Sequence, residues 1–311
     1  MIEDEGNWQR GVLEKLATAS LTEQRRARRW GIFFKLLTFF YLFLLLFIAM
    51  GWMGHRDRAI PGKHTALVSL EGEIAADSQA SAENVIAGLQ DAFEDKNTRG
   101  VVVRINSPGG SPVQAGYIND EIRRLREKYP EIPVYAVVED VCASGGYYVA
   151  VATDKIFVNK ASLVGSIGVL MDGFGFTGTI EKLGVERRLL TAGDNKGFLD
   201  PFSPLPAQQR EFAQKMLNEI HQQFIKVVKD GRGKRLKESP EIFSGLIWTG
   251  AKSIELGLAD GFGSVDSVAR DVVKAENVVD FTPKENLADR LAKRFGAGAA
   301  TALQGRFPSL R

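Results

Sequence analysis

The sequence predicts an α/β domain built on a mostly parallel sheet and preceded by one transmembrane helix. Three observations carry that expectation. Residues 36–53 read LLTFFYLFLLLFIAMGWM, eighteen positions without a charge, close to the roughly 20 residues that span about 30 Å of hydrocarbon. From position 64 onward, short apolar runs alternate with stretches of helical apolar periodicity, the pattern of βαβ units whose strands are buried on both faces. Two glycine-rich turns, Asn106-Ser107-Pro108-Gly109-Gly110 and Ser144-Gly145-Gly146, follow such runs, and open α/β sheets place their ligands at that end of their strands.

Taken in order, residues 1–29 are expected to form a cytoplasmic tail; Ser20 with Glu23 offers a capping box that would start a helix, but a solvated topology signal is the better reading. Residues 30–53 are the expected membrane anchor, and residues 54–63, with His55, Pro61 and Gly62, a linker. Arg25, Arg26, Arg28, Arg29 and Lys35 crowd the leading flank more densely than Arg56, Arg58 and Lys63 crowd the trailing one. The denser positive flank stays inside, so the rest of the chain is expected on the outer face of the cytoplasmic membrane, in the periplasm of a Gram-negative cell. A cleaved signal peptide fits less well. Its apolar core spans about 7 to 15 residues, and no A-x-A-like site follows Met53.

The folded domain is expected over 64–280, with a Gly- and Ala-rich, loosely ordered tail over 281–311. Within it, strands are predicted at Ala66–Leu70, Gly100–Ile105, Pro133–Val138, Lys155–Val158 and Gly184–Thr191. Helices are predicted at Ser81–Lys96, Ala115–Lys128, from Ser144 through Ala150, at Ala207–Lys229, Gly250–Leu256 and Ser264–Lys274. The long helix carries Phe212, Met216, Ile220, Phe224 and Val227 at helical spacing, a stripe that suits a core or a subunit interface.

Ser144 opens a helix after a strand, and Lys196 follows 52 positions later in Ala-Gly-Asp-Asn-Lys-Gly. A serine hydroxyl is a weak nucleophile until a base takes its proton. A lysine does so when burial keeps it neutral, at a pKa of about 7 to 8. Gly145 lets a carbonyl approach the backbone, so its amide is one candidate oxyanion donor. The Gly109 or Gly110 amide is the other. Taken singly, Ser-Gly-Gly reads as a helix cap, Pro-Gly-Gly as a tight turn and Lys196 as a solvated loop charge; their joint placement after apolar strands favours a Ser/Lys hydrolase.

The stretches RINSPGG (104–110), ASGGYYVA (143–150), GSIGV (165–169) and AGDNK (192–196) resemble the signal peptide peptidase A family of membrane-anchored Ser/Lys peptidases. The likeness runs from about His64 to Arg270. It implies a repeated ββα fold of the Clp protease and crotonase type, with Ser144 as nucleophile, Lys196 as general base and Ser166 as the second serine that orients the lysine. It also implies an endopeptidase that degrades remnant signal peptides and other short or unfolded polypeptides, assembled as a homo-oligomeric ring. One catalytic unit behind one anchor is similar to the single-domain branch of the family. AGDNK departs from the more usual Ser-Gly start of the lysine motif.

Other classes fit less well. The formal net charge is +2, which gives no case for nucleic acid as a partner. The basic stretch Lys226, Lys229, Arg232, Lys234, Arg235 and Lys237 reads as a solvated helix end. The lone cysteine, Cys142, allows neither an internal disulfide nor a Cys/His zinc site. No metal, nucleotide or organic cofactor is expected, and the partners are peptide substrates and the lipid around residues 30–53. His55, His64 and His221 supply no obvious Ser/His/Asp triad. An acyl-CoA hydratase or thioesterase on the same fold gives Lys196 no role, and a noncatalytic scaffold leaves Ser144, Ser166 and Lys196 without a use.

Overall fold

The computed structural model describes residues 2–49 and 62–283, in two separate units. The first is α1 (Ile2–Ala49), one unbroken helix. Its stretch Thr22–Phe47 is apolar and long enough to cross a membrane, 26 residues or about 39 Å at 1.5 Å per residue. Neither a helix start at Ser20 nor a non-helical tail is found: Ser20 lies inside α1, because no proline or glycine interrupts residues 12–30. The end of the expected anchor, the linker through 61 and the tail from 284 lie outside the described residues.

The second unit alternates strand and helix. It comprises β1 (His64–Glu71), α2 (Ala82–Glu94), β2 (Thr98–Ser107), α3 (Pro112–Lys128), β3 (Val134–Ala143), α4 (Gly145–Ala150), β4 (Lys155–Val158) and β5 (Leu163–Gly165). These are followed by α5 (Thr177–Lys182), α6 (Ala207–Arg232), β6 (Ile247–Thr249), α7 (Gly250–Glu255), β7 (Gly261–Phe262), α8 (Val265–Ser267) and β8 (Val278–Asp280). The sheet runs β6-β5-β3-β2-β1-β8, with β4 beside β3 and β7 beside β4. All pairings are parallel except β5 with β6. Side chains on β2 alternate between two apolar layers. Val101, Val103 and Ile105 join the larger core with α2 and α3, while Val102 faces the other way with Leu67, Val137 and Val268. That two-sided burial is why the strands read as continuous apolar runs.

Three sequence expectations are corrected. First, β3 does not end at Val138. It exposes Glu139 and Asp140, then pairs again, so that its first part (Tyr135–Val137) carries β4 and its last (Val141–Ala143) carries β5. Second, Gly184–Thr191 is not a strand: every residue in it is exposed, and an apolar run without a partner ladder has nowhere to place its backbone bonds. Third, the helix expected over Ser264–Lys274 is one turn of α8 followed by a π-helical turn, Val268–Val273, ending at a left-handed Lys274.

The basic stretch near the end of α6 is also not simply solvated. Arg232 is 1% exposed and makes paired bonds of 2.8 and 2.9 Å to Asp260, with a third to the Gly257 carbonyl. Lys226 pairs with Asp230 and Lys229 with Glu238. Much of the apparent positive patch is therefore neutralised within the domain.

Candidate active site

Two turns meet at the carboxyl edge of the sheet. Ser144 follows β3 directly, at φ 52° and ψ −121°, a conformation costing a non-glycine residue about 1 to 3 kcal/mol. Its side chain makes no capping hydrogen bond to α4, which rules out the plain helix-cap reading. The residue is half-buried, and its hydroxyl is left for other use.

The second turn lies against the first. A Cβ on Gly109 would sit 2.6 Å from the Gly145 nitrogen and 2.7 Å from the Ser144 Cβ, and one on Gly145 would sit 3.3 Å from the Gly110 nitrogen. Only glycine permits that approach, and Gly109 and Gly110 have φ of 101° and 142°. Ile74 stitches the turn from the other side: its amide donates to the Gly109 carbonyl and its carbonyl accepts from Ser111, both at 2.8 Å.

The amides sort themselves by occupancy. Gly109 N–H donates to Ser107 Oγ at 3.2 Å, while Ser107 Oγ donates to the Gly72 carbonyl at 2.6 Å. Among the described residues, the Gly110 and Gly145 amides have no acceptor. Ser107 was not singled out from the sequence, although it sits within the NSPGG turn. Its hydroxyl occupies one of the two candidate glycine amides and leaves the other free.

Ser166 stands beside this site. Ala143 pairs with Gly165, the Ser144 amide donates to the Gly165 carbonyl at 2.9 Å, and Ser166 has φ 51°. The Ser166 amide donates to the Leu246 carbonyl, which ties the turn to the loop entering β6. His221, on α6, donates from Nε2 to the Ile167 carbonyl at 3.1 Å; sequence periodicity placed it on a helix but gave no sign of this contact. Burial pushes the Cys142 thiol, at the end of β3, well above its ordinary pKa.

Lys196 is elsewhere. It sits in consecutive turns of an arm in which no residue from Gly168 to Gln223 is buried, and its own side chain is exposed. Among the described residues its amine has no hydrogen-bond or ion-pair partner. The structure thus brings together Ser144, Gly145, Gly109, Gly110 and, one strand over, Ser166, and no contact joins Lys196 to them. No group of His, Cys, Asp and Glu suited to a metal ion occurs among the described residues.

A strand-to-helix turn with a strained serine, walled by glycine amides, is the architecture of a serine-type peptidase on a mostly parallel α/β sheet. The chain belongs to peptidase family S49, whose model matches residues 126–279, a span that holds Ser144, Ser166 and Lys196. A putative protease of Methanocaldococcus jannaschii is 32% identical over 227 residues, 70% of this chain and 72% of that protein. A putative signal peptide peptidase SppA of Enterococcus faecium is 29% identical over 212 residues, 68% of this chain and 61% of the relative. A Na(+)/H(+) antiporter NhaA of Brucella abortus is 47% identical over 182 residues, 58% of this chain but only 25% of that protein. The chain spans a quarter of the antiporter's length and less than two thirds of the enterococcal protein.

Proposed function

We propose that this chain is a membrane-anchored serine endopeptidase with a Ser144/Lys196 dyad, which degrades remnant signal peptides and other short or unfolded polypeptides on the outer face of the cytoplasmic membrane. The observation that carries the reading is the Ser144 turn: a strained residue whose hydroxyl is not spent on its helix, where two unoccupied amides meet as the turns pack together. Lys196 takes the Ser144 Oγ proton, and Oγ attacks the peptide carbonyl. The Gly110 and Gly145 amides hold the oxyanion, and the lysine returns its proton to the leaving amine. Water, activated by the same lysine, then releases the acyl group. Ser166 orients the lysine from the neighbouring strand. Each oxyanion donor is worth about a hundred- to a thousandfold in rate.

Placement on the outer face rests on the positive flank before the apolar stretch of α1. A homo-oligomeric ring is supported by the arm, which exposes Leu170 (80%), Phe174 (79%) and Leu190 (97%), more apolar surface in one segment than a soluble monomer ordinarily shows. Packing the arm on a second copy would desolvate Lys196, as a base requires.

The test is hydrolysis of a short apolar fluorogenic peptide by the detergent-purified full chain, across about pH 6 to 10. Activity that rises with an apparent pKa well below the ordinary 10.4 of lysine, and vanishes in Ser144→Ala and Lys196→Ala, is the expected result. Activity retained by Lys196→Ala would require another base.

A further inference from the structure

The loop that carries Lys196 is closed at its base by contacts the Ser/Lys chemistry does not use. Arg187 Nε and Nη2 donate to the Asp200 carboxylate at 3.4 and 3.3 Å, and Ser203 Oγ donates to it at 2.6 Å. The guanidinium lies 5.8 Å over the Phe202 ring, which stacks on Phe176 at 5.6 Å. The Phe176 amide donates to the Pro201 carbonyl at 2.7 Å. In an arm otherwise open to solvent, the Asp200 side chain is only 10% exposed.

The loop's trailing side is held as firmly. Leu199 adopts φ 57°, a left-handed conformation leucine takes at a cost, and its amide is accepted by Gln209 Oε1, from the first turn of α6, at 3.1 Å. Phe198 meets Phe212 edge to face at 5.7 Å. Between these fixed ends the chain folds back through three successive turns, Lys196 to Gly193, Phe198 to Asn195 and Asp200 to Gly197, so the lysine occupies the tip of a loop with clamped ends.

We propose that Arg187 and Asp200 are positioning residues, a clamp that sets the Lys196 loop so that the amine reaches Ser144 Oγ; this rests on the proposed role of Lys196 as the base. Positioning and stability separate here. An ion pair on an exposed arm adds little to folding. A displacement of about 1 Å in a catalytic group costs on the order of a hundredfold in rate. The clamp therefore matters far more to the amine's location than to the domain's survival.

The experiment uses the detergent-purified full chain in four variants, Arg187→Ala, Asp200→Ala, the double variant and Lys196→Ala. Each is assayed for kcat, KM, pH profile, melting temperature and oligomeric state. The expected result for both single variants is a tenfold or greater fall in kcat with KM within about twofold. The limb on which activity rises with pH should move toward the ordinary lysine value, with unchanged melting and assembly, and the double variant should be no worse than either single. Wild-type kcat and an unmoved limb in both single variants, with Lys196→Ala inactive, would overturn the clamp and leave the dyad standing. Loss of assembly together with activity would overturn it in favour of an interface role. An active Lys196→Ala would remove the dyad and the clamp with it.

Discussion

Ser144 and Ser166 leave two neighbouring parallel strands at the same level and in the same unusual conformation. Ala143 is the register partner of Gly165, the Ser144 amide donates to the Gly165 carbonyl at 2.9 Å, and the two serines have φ of 52° and 51°. Adjacent strands lie about 4.8 Å apart, so the two residues are held as neighbours by the ladder itself. Neither position is set by a flexible loop.

The strain at Ser144 predicts a trade between activity and stability. Ser144→Gly removes the nucleophile and relieves the backbone, so thermal unfolding should show a higher melting temperature, by up to the equivalent of about 1 to 3 kcal/mol, with peptidase activity abolished. A lower melting temperature than wild type would contradict the assigned conformation.

At the turn opposite, Gly109→Ala should be far more damaging than its size suggests. The added methyl would lie 2.6 Å from the Gly145 nitrogen, the amide proposed to bind the oxyanion. A loss of at least a hundredfold in kcat, with the secondary structure seen by circular dichroism retained, is the expected outcome. An alanine variant of near wild-type activity would place the oxyanion elsewhere.

His221→Ala tests the alternative base directly. Its one hydrogen bond to the Ile167 carbonyl is worth about 1 kcal/mol, and the kcat of the variant should fall by less than about tenfold. Near-total inactivation in a folded variant would point to a histidine-dependent mechanism.

The Arg232–Asp260 pair joins α6 to the segment before β7. Burial pushes the Asp260 carboxyl up, but the hydrogen bonds and charge of Arg232, with the Ile156 amide and Arg235, outweigh that and hold it below the usual carboxylate range. A depressed folded pKa contributes stability that is full above the unfolded value, near 3.9, and is lost as pH falls through the folded value. Urea unfolding should therefore show Asp260→Ala destabilised by about 3 to 5 kcal/mol at neutral pH. The gap to wild type should narrow only in acid below about pH 4.

Cys142 should be inert. Its thiol is fully buried and raised in pKa by that burial, and the thiolate is the reactive form. Iodoacetamide at pH 8 should leave both the peptidase rate and the protein mass unchanged.

Much of this fold was legible in the sequence because its strands are buried on both faces. Val101–Val103 can be little other than an interior strand, and α2 and α3 carry apolar residues at helical spacing beneath capping serines. The turns at Gly109 and Ser144 were legible for the same reason: glycine pairs after apolar runs mark backbone that must come close to something. What escaped was non-local. The resumption of β3 beyond Glu139 depends on a partner, β5, supplied more than twenty residues later. The strand expected at Gly184–Thr191 has the right composition but no neighbour to pair with. The contacts of Ser107 with Gly109 and of His221 with Ile167 join a hydroxyl or a ring to backbone groups, and no periodicity encodes them.

The divided course of β3 separates two jobs along one strand. Its lower part carries β4 as well as β2; its upper three residues carry β5, meet β2 again only where Cys142 pairs with Ser107, and set the height of Ser144. Substitutions in the lower part should alter how long the enzyme lasts, and substitutions in the upper part how well it cuts. A lineage under pressure to endure heat, and one under pressure to accept new peptides, would thus find their solutions in different stretches of the same ten residues.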